Sequence, residues 1–117
     1  MSVEEAITSC LEKQTEHSFV YYVPADFPAF KGHFEGHPLL PGIGQLSFCA
    51  DGASRLLHKP VEIRAVKRAK FVGPVLPNTH LEITFTARAD GWYLVELTNP
   101  ERGQKISQFI LQFVERK

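Results

Sequence analysis

The sequence is poor in cysteine, has no excess of charge of either sign and contains no long apolar run. Its 117 residues include 2 cysteines, Cys10 and Cys49, and neither belongs to a Cys/His spacing typical of metal ligands. This argues against a disulfide framework and a zinc site, so we predict two reduced thiols in the core. The 13 basic and 13 acidic residues balance. That balance argues against a protein whose main partner is a nucleic-acid backbone or an anionic membrane.

Signals for export or membrane insertion are also missing from the pattern. The first residues, Met-Ser-Val-Glu-Glu-Ala, show neither the basic nor the apolar region of a secretory leader. No apolar run approaches the ~20 residues that cross a bilayer. We therefore expect a soluble, cytoplasmic protein. With 44% apolar residues, the length fits a single domain over residues 1–117, whose site is built from few elements or is shared with another subunit.

The first part of the chain combines two short β-type segments with an irregular stretch. Strands are predicted over residues 5–12 and 17–23, because the second is rich in aromatic and β-branched residues. A helix over residues 3–13 is the alternative to the first strand. Residues 24–41 contain four prolines but also many apolar side chains, which indicates a loop packed against the protein.

One long helix is predicted from residue 41 to about residue 58. Pro41 suits a first helical turn, and Pro60 follows shortly after the end. Apolar residues cover most of the helix surface, as expected of a helix that a sheet wraps. The remaining narrow stripe follows helical spacing and is either solvated or functional: Ser47, Asp51, Ser54, Arg55 and His58.

After residue 60 the pattern changes to that of β-strands. Turns rich in glycine, proline and asparagine separate four predicted strands, at residues 61–72, 79–89, 92–98 and 104–114. The predicted order is therefore two strands, a packed loop, one helix and four strands. This order indicates an α+β fold, an antiparallel sheet with one long helix against its concave face.

A histidine in a tight, apolar, glycine-containing loop precedes the long helix. His33 lies eight residues before Pro41. A helix start presents free N–H groups and partial positive charge, so it can polarise a carbonyl while a nearby imidazole moves a proton. A structural histidine that holds a turn is the alternative interpretation.

Three segments resemble a known family. Gly-His-Phe-Glu-Gly-His-Pro-Leu-Leu-Pro-Gly at residues 32–42 resembles the signature of the FabA/FabZ-type 3-hydroxyacyl-(acyl carrier protein) dehydratases. Ile-Gly-Gln-Leu at residues 43–46 is most similar to the branch associated with aryl-polyene pathways, the ApeI-like dehydratases. Residues 70–78 are similar to the family's strand and turn after the helix. The resemblance covers nearly the whole chain and implies the hotdog fold, in which two subunits join their sheets edge to edge.

The resemblance also assigns roles to residues of the motif. It implies that His33 is the base that removes the C2 proton of the acyl thioester. The N–H of Gly42 would hold the thioester carbonyl, and the backbone carbonyl of Leu39 would orient the imidazole. Phe34 and Ile43 complete the substrate-binding set, and the chemistry needs no metal or organic cofactor.

The sequence departs from the family at one catalytic position. Where the family has Glu or Asp on the helix, fourteen residues after the histidine, this chain has Ser47. A serine hydroxyl is too weak an acid to protonate a leaving group, and such help is typically worth roughly 10²–10⁴-fold in rate. Asp51, one turn further along, is a candidate acid that would act with Ser47 as a relay; a solvated helix face is the alternative. Glu35 is a weaker candidate acid.

The other histidines carry less chemistry. His33 and His37 have a spacing that aligns metal ligands on a helix, but the glycine and proline around His37 exclude a helix there, so no metal site is predicted. We interpret the remaining histidines as structural: His17, His58 and His80.

A local basic patch stands out in a chain of balanced charge. Four of its members fall within seven residues, Arg64, Lys67, Arg68 and Lys70, and Arg55 and Lys59 come just before them. An acidic acyl carrier protein would dock there through steered, salt-sensitive contacts; a solvated strand face is the alternative.

The sequence therefore predicts a hotdog protein, at least a homodimer, that dehydrates 3-hydroxyacyl thioesters on an acyl carrier protein. One alternative is a partner subunit, because sites in this family take the histidine from one subunit and the acid from the other. Such a subunit would supply His33 to a paralogue that carries the carboxylate. Thioesterase action is a second alternative.

Overall fold

The computed structural model describes residues 3–30, residue 40 and residues 42–117 of the chain. Within these residues, two α-helices and six strands follow one another, with single turns of 3-10 helix at Pro28–Phe30 and Ala89–Gly91. Their bounds are α1 Val3–Cys10, β1 Leu11–Gln14, β2 Ser18–Val23, α2 Gly42–Leu56, β3 Val61–Phe71, β4 Thr79–Ala87, β5 Trp92–Asn99 and β6 Gln104–Glu115. No helix among them is long and apolar enough to span a membrane.

All six strands form one antiparallel sheet in the order β1-β2-β4-β5-β6-β3. Strand β3 is therefore an edge strand, paired only with β6 among the described strands. Helix α2 packs across one face of the sheet through its buried positions, which include Phe48, Cys49 and Ala53. This is the antiparallel sheet around one long helix that the sequence predicts.

Aromatic rings fill the space between α2 and the sheet. Phe48 of α2 meets Tyr21 of β2 edge-on, with ring centroids 5.1 Å apart, and lies 5.2 Å from the ring of Phe27. Both cysteines are buried and free, which confirms the prediction of reduced core thiols. Burial raises the pKa of the Cys49 thiol well above its ordinary value, so it behaves as an apolar core group.

The first predicted strand is wrong over most of its length. Residues 3–10 form helix α1, which agrees with the alternative interpretation, and only the four residues of β1 that follow are a strand. The buried residues Ala6, Ile7 and Cys10 share one helical face, and Glu4 and Glu5 stabilise the positive end of the helix dipole. Helix α2 ends at Leu56, because His58 adopts a positive φ of 56°. The four later strands are confirmed, with small changes at their ends.

Candidate functional site

A cavity of about 520 Å³ lies along the stripe of α2 that the sequence singles out. Helix α1, the start of β3 and Arg116 complete its walls. From α2 the cavity is lined by Ser47, Ala50, Asp51 and Ser54. The structure therefore brings three of the five stripe residues to one concave surface, the kind of place where ligands bind.

Ser47 lies on this wall, but its hydroxyl already donates a hydrogen bond within the helix. The Oγ atom donates a 3.1 Å hydrogen bond to the carbonyl of Ile43, one turn earlier in the helix. Such a bond is common for serine inside helices and leaves the oxygen lone pairs directed outward. Ser47 can therefore accept a hydrogen bond from a substrate hydroxyl or a water, and it offers no acidic proton.

Asp51 holds three elements together through one carboxylate. Its Oδ1 accepts a 3.0 Å hydrogen bond from Thr8 of α1, and its Oδ2 accepts bonds from the Tyr21 hydroxyl at 2.6 Å and from Arg55 Nε at 2.9 Å. Tyr21 is fully buried. Burial, and then its hydrogen bond to Asp51, raise the pKa of Tyr21 far above its ordinary value, so the phenol stays a donor.

These contacts determine what Ser47 and Asp51 can do together. Both face the same cavity, but Ser47 donates to Ile43, and both Asp51 oxygens already accept from other side chains. No hydrogen bond joins Ser47 to Asp51 in the part of the chain that the structure describes. The carboxylate of Asp51 is thus arranged as an acceptor for structural donors.

The start of α2 is open to solvent and has apolar neighbours. Ile43 is 78% exposed, and the half-exposed ring of Phe71 covers Gly42 so closely that a Cβ there would lie 2.9 Å from the ring. The N–H of Leu40 donates to the carbonyl of Val75 at 2.9 Å, which ties the approach to the helix to the segment before β4. The motif residues His33, Phe34, Glu35, His37 and Leu39 lie outside the described residues.

The basic patch lies on the edge strand β3. Arg64, Lys67, Arg68 and Lys70 are all exposed, and the Lys67 ammonium sits 5.6 Å from the ring centre of Trp92. Arg55 does not belong to this surface, because its guanidinium binds Asp51 in the preceding turn of α2. Strand β3 thus combines four cations with an unpaired backbone edge, at least among the described strands.

Sequence reasoning missed the partners of two polar residues. Tyr21 lies on the same buried face of β2 as Phe19 and Val23, and a buried phenol needs a hydrogen-bond partner. The alternation of β2 was therefore the available signal. His80 lies between Glu12 and Glu101, at 2.8 and 3.0 Å. Hydrogen bonding to Glu101 is the main cause that raises the pKa of His80. Nothing in the local sequence brings those carboxylates together.

Neither His17 nor His58 lines the cavity along α2. His17 lies 3.7 Å from Glu16 at the surface, and His58 ends the turn after α2. Among the described residues, no group of three or more His, Cys, Asp and Glu side chains is arranged to hold a metal ion.

Comparisons with known proteins agree with this architecture. One family model, described as ApeI-like (ApeI dehydratase), matches residues 9–108. A FabZ 3-hydroxyacyl-(acyl-carrier-protein) dehydratase of Wolbachia sp. subsp. Drosophila simulans is 39% identical over 61 residues, or 46% of this chain. The matched stretch is 43% of that relative, so the chain corresponds to less than half of the relative's length.

Solved structures with the same architecture come from several kinds of protein. The dehydratase heterocomplex ApeI:P from Xenorhabdus doucetiae superposes with a TM-score of 0.71 at 23% identity, covering 90% of this chain and 94% of that one. The E. coli PaaI protein from the phenylacetic acid degradation operon gives 0.60 at 16% identity, covering 97% and 89%. At these identities the likeness concerns the fold, and it confirms the hotdog architecture.

Proposed function

The chain belongs to the ApeI-like dehydratase family, and from that premise we propose that it eliminates water from 3-hydroxyacyl thioesters carried by an acyl carrier protein. The C2–H bond breaks, its electron pair forms the C2=C3 double bond, and the C3 hydroxyl leaves as water after receiving a proton. The product is the 2-enoyl thioester. The proposal extends to the residues that perform each step.

His33 takes the C2 proton in this proposal. The N–H of Gly42 binds the thioester carbonyl, where negative charge develops as that proton leaves. The carbonyl of Leu39 orients the imidazole, and Phe34 and Ile43 contact the acyl group. These steps use proton transfer and hydrogen bonding alone, so no metal or organic cofactor takes part.

The exposed start of α2 is the observation that best supports this function. The first N–H groups of a helix have no partner within the helix. Here Ile43 is largely exposed beside Gly42, and the Phe71 ring forms an apolar wall next to it. Donors at a helix start beside an apolar ring suit a thioester, which has one polar oxygen on an apolar chain.

A second candidate function follows from the cleft. Ser47 cannot protonate the leaving hydroxyl, and the Asp51 carboxylate is occupied by Thr8, Tyr21 and Arg55. Neither of the two candidates on this face of α2 therefore offers an unengaged acid group. We infer that this chain contributes His33 to a site whose acid comes from a carboxylate-bearing paralogue, which makes the active unit a heterodimer.

Strand β3 is proposed to serve both association and docking. Its edge, which pairs with no other described strand on the side away from β6, fits pairing with a second subunit. Its exposed cations, from Arg64 to Lys70, fit an acidic carrier protein.

One experiment separates these functions. The pure protein, alone or together with the paralogue, is incubated with 3-hydroxyacyl carrier-protein thioesters. The products are identified by mass spectrometry. Loss of water without the paralogue supports the dehydratase, and loss of water only with it supports the partner subunit. Loss of the acyl group would indicate a thioesterase and contradict both. A folded His33→Ala variant that retains dehydration would contradict the assigned base.

A further inference from the structure

A buried polar pair lies directly beneath the start of α2. Gln45, in the first turns of that helix, and Ser107 of β6 are each 3% exposed. The Ser107 hydroxyl donates a 2.7 Å hydrogen bond to Gln45 Oε1. On its other side, Gln45 Nε2 reaches the carbonyl of Leu40 at 3.5 Å. The N–H of Leu40 donates to the Val75 carbonyl at 2.9 Å, so both polar groups of the Leu40 backbone have a partner.

This pair is unusual in the core of the described part of the chain. There, only Gln45, Ser107 and Asn99 are buried polar residues, and two of the three are bonded to each other. Asn99 has a local purpose, because its Oδ1 accepts from the backbone N–H groups of Glu101 and Arg102 in the following turn. Burying a polar side chain costs free energy unless its groups are paired. An apolar residue would fill the Gln45 position without that cost.

The hydrogen bonds of the pair orient the Gln45 side chain toward the Leu40 backbone. Ser107 fixes the Gln45 amide so that its NH₂ group points at the Leu40 carbonyl rather than away from it. A peptide bond is planar, so a residue held at both N–H and C=O restrains the two peptide planes that join it to the chain. Leu40 comes one residue after Leu39 and two before Gly42. Those two residues supply the backbone groups that the proposed reaction uses.

We propose that Gln45 and Ser107 are positioning residues, which act through Leu40 to hold the approach to the α2 start in its reactive geometry. The inference rests on the proposed function for its catalytic consequence. Displacing reacting groups by about 1 Å can cost ~10²-fold in rate. Loss of the pair is therefore expected to lower kcat more than it raises KM.

Two substitutions of Gln45 test the proposal, in whichever preparation is active, the chain alone or with its paralogue. Gln45→Met keeps the length and removes both hydrogen bonds, so kcat should fall about 10-fold or more at every pH. Gln45→Glu keeps both bonds while its carboxyl is neutral and loses the donor when the carboxyl ionises. Its kcat should therefore approach that of the unmodified protein at low pH and fall as the pH rises, with a limb that the unmodified protein lacks.

Asn99→Ala is the matched control. It removes a buried polar group whose side-chain hydrogen bonds, among the described residues, stay within its own turn, so it should lower stability without a selective loss of kcat. The proposal is overturned if folded Gln45→Met keeps kcat within about twofold of the unmodified protein, or if Asn99→Ala lowers kcat as much. It is equally overturned if Gln45→Glu shows no new pH limb.

Amide hydrogen exchange gives a readout that does not need activity. The peptide that includes residues 40–46 should exchange faster in Gln45→Met than in the unmodified protein and be unchanged in Asn99→Ala. If the unmodified protein dehydrates no substrate in either preparation, the proposed function fails and this measurement alone decides the positioning role. Equal exchange in Gln45→Met and the unmodified protein would then refute it.

Discussion

The hydroxyl of Tyr21 donates a 2.6 Å hydrogen bond to the carboxylate of Asp51, where the tyrosine has no exposed surface. The same carboxylate accepts from Thr8 and Arg55. One side chain thereby connects the sheet, both helices and the wall of the cleft. Both carboxylate oxygens already accept hydrogen bonds from other elements, an arrangement that suits a structural anchor.

The anchoring role makes a prediction about stability. Tyr21→Phe removes one donor to a charged acceptor, which typically costs about 1.5–3 kcal/mol of unfolding free energy. Asp51→Ala leaves the Tyr21 phenol, the Thr8 hydroxyl and the Arg55 guanidinium without their acceptor, so it should cost more than Tyr21→Phe. Urea unfolding of each variant measures both values. Dehydration by Tyr21→Phe, at temperatures where it is folded, should remain close to that of the unmodified protein.

Asp51→Asn distinguishes the anchor from the acid. The Asn amide keeps one acceptor oxygen and the approximate shape of the side chain. If Asp51 is an anchor, Asp51→Asn should lower the free energy of unfolding while dehydration continues. If Asp51→Asn instead abolishes dehydration while the unfolding midpoint is unchanged, Asp51 is the acid.

Ser47 tests whether a missing carboxyl limits the rate. Ser47→Glu, or Ser47→Asp, places an acid on the cavity wall where the family has one, and dehydration by the chain alone should rise ~10-fold or more. Rates are measured on the same carrier-bound substrate with and without the paralogue. Ser54→Glu, on the same wall two turns further along, serves as the control and should bring no gain. A fall in rate for both Ser47 variants would show that the serine itself is required.

The sequence predicted the later strands and α2 well, and it failed at the first segment. Turns with glycine and proline separate strands β3 to β6, so the boundaries of these strands can be predicted from nearby residues. The first segment is short, and its apolar residues Ala6, Ile7 and Cys10 fit either a helical face or part of a strand. Packing of α1 against α2 decides in favour of the helix, and such a tertiary contact cannot be read from eight residues.

The site shows the same division between local and distant information. Helical spacing placed Ser47 and Asp51 on one face, and the cavity confirms that placement. The donors to Asp51 come from α1 and β2, 43 and 30 residues away, so their meeting depends on how three elements pack. A single sequence does not show which distant residues meet, so it left both an acid and a solvated helix face open at Asp51 and gave no sign of the donors that Asp51 binds.

The cluster around His80 predicts a pH dependence of stability. Hydrogen bonds to Glu101 and Glu12 raise the pKa of His80 above its usual value of 6.5. The stabilisation is complete below pH 6.5 and is lost as the pH rises through the higher folded-state pKa. His80→Gln should therefore flatten the dependence of unfolding free energy on pH above 6.5. His17→Gln, at the surface, is the control. If it flattens the pH dependence equally, His80 is not the cause of that dependence.

Gly42 and Phe71 make a prediction about the helix start. A Cβ at residue 42 would lie 2.9 Å from the Phe71 ring, which must then move. The ring is half-exposed and can turn, so Gly42→Ala should lower the free energy of unfolding by only about 1 kcal/mol. The dehydration rate should fall by a larger factor than this loss of stability explains, because the displaced ring lies beside the proposed carbonyl site. Combining it with Phe71→Leu should recover part of the activity. Additive losses in the double variant would contradict this coupling.

The basic edge strand predicts a carrier-specific effect. If the exposed cations of β3 dock an acidic carrier, Arg64→Glu combined with Arg68→Glu should raise KM for the carrier-bound substrate, and added salt should reproduce the change in the unmodified protein. A pantetheine thioester without carrier should be turned over normally.

The control variant reverses two exposed cations away from β3, Lys13 on the opposite edge strand and Arg88. It should leave the turnover of both substrates unchanged. Sedimentation of the β3 variant must match that of the unmodified protein, because β3 is also the proposed association edge. Equal losses on both substrates, with unchanged sedimentation, would show that these cations support the fold or the cleft rather than a docked carrier.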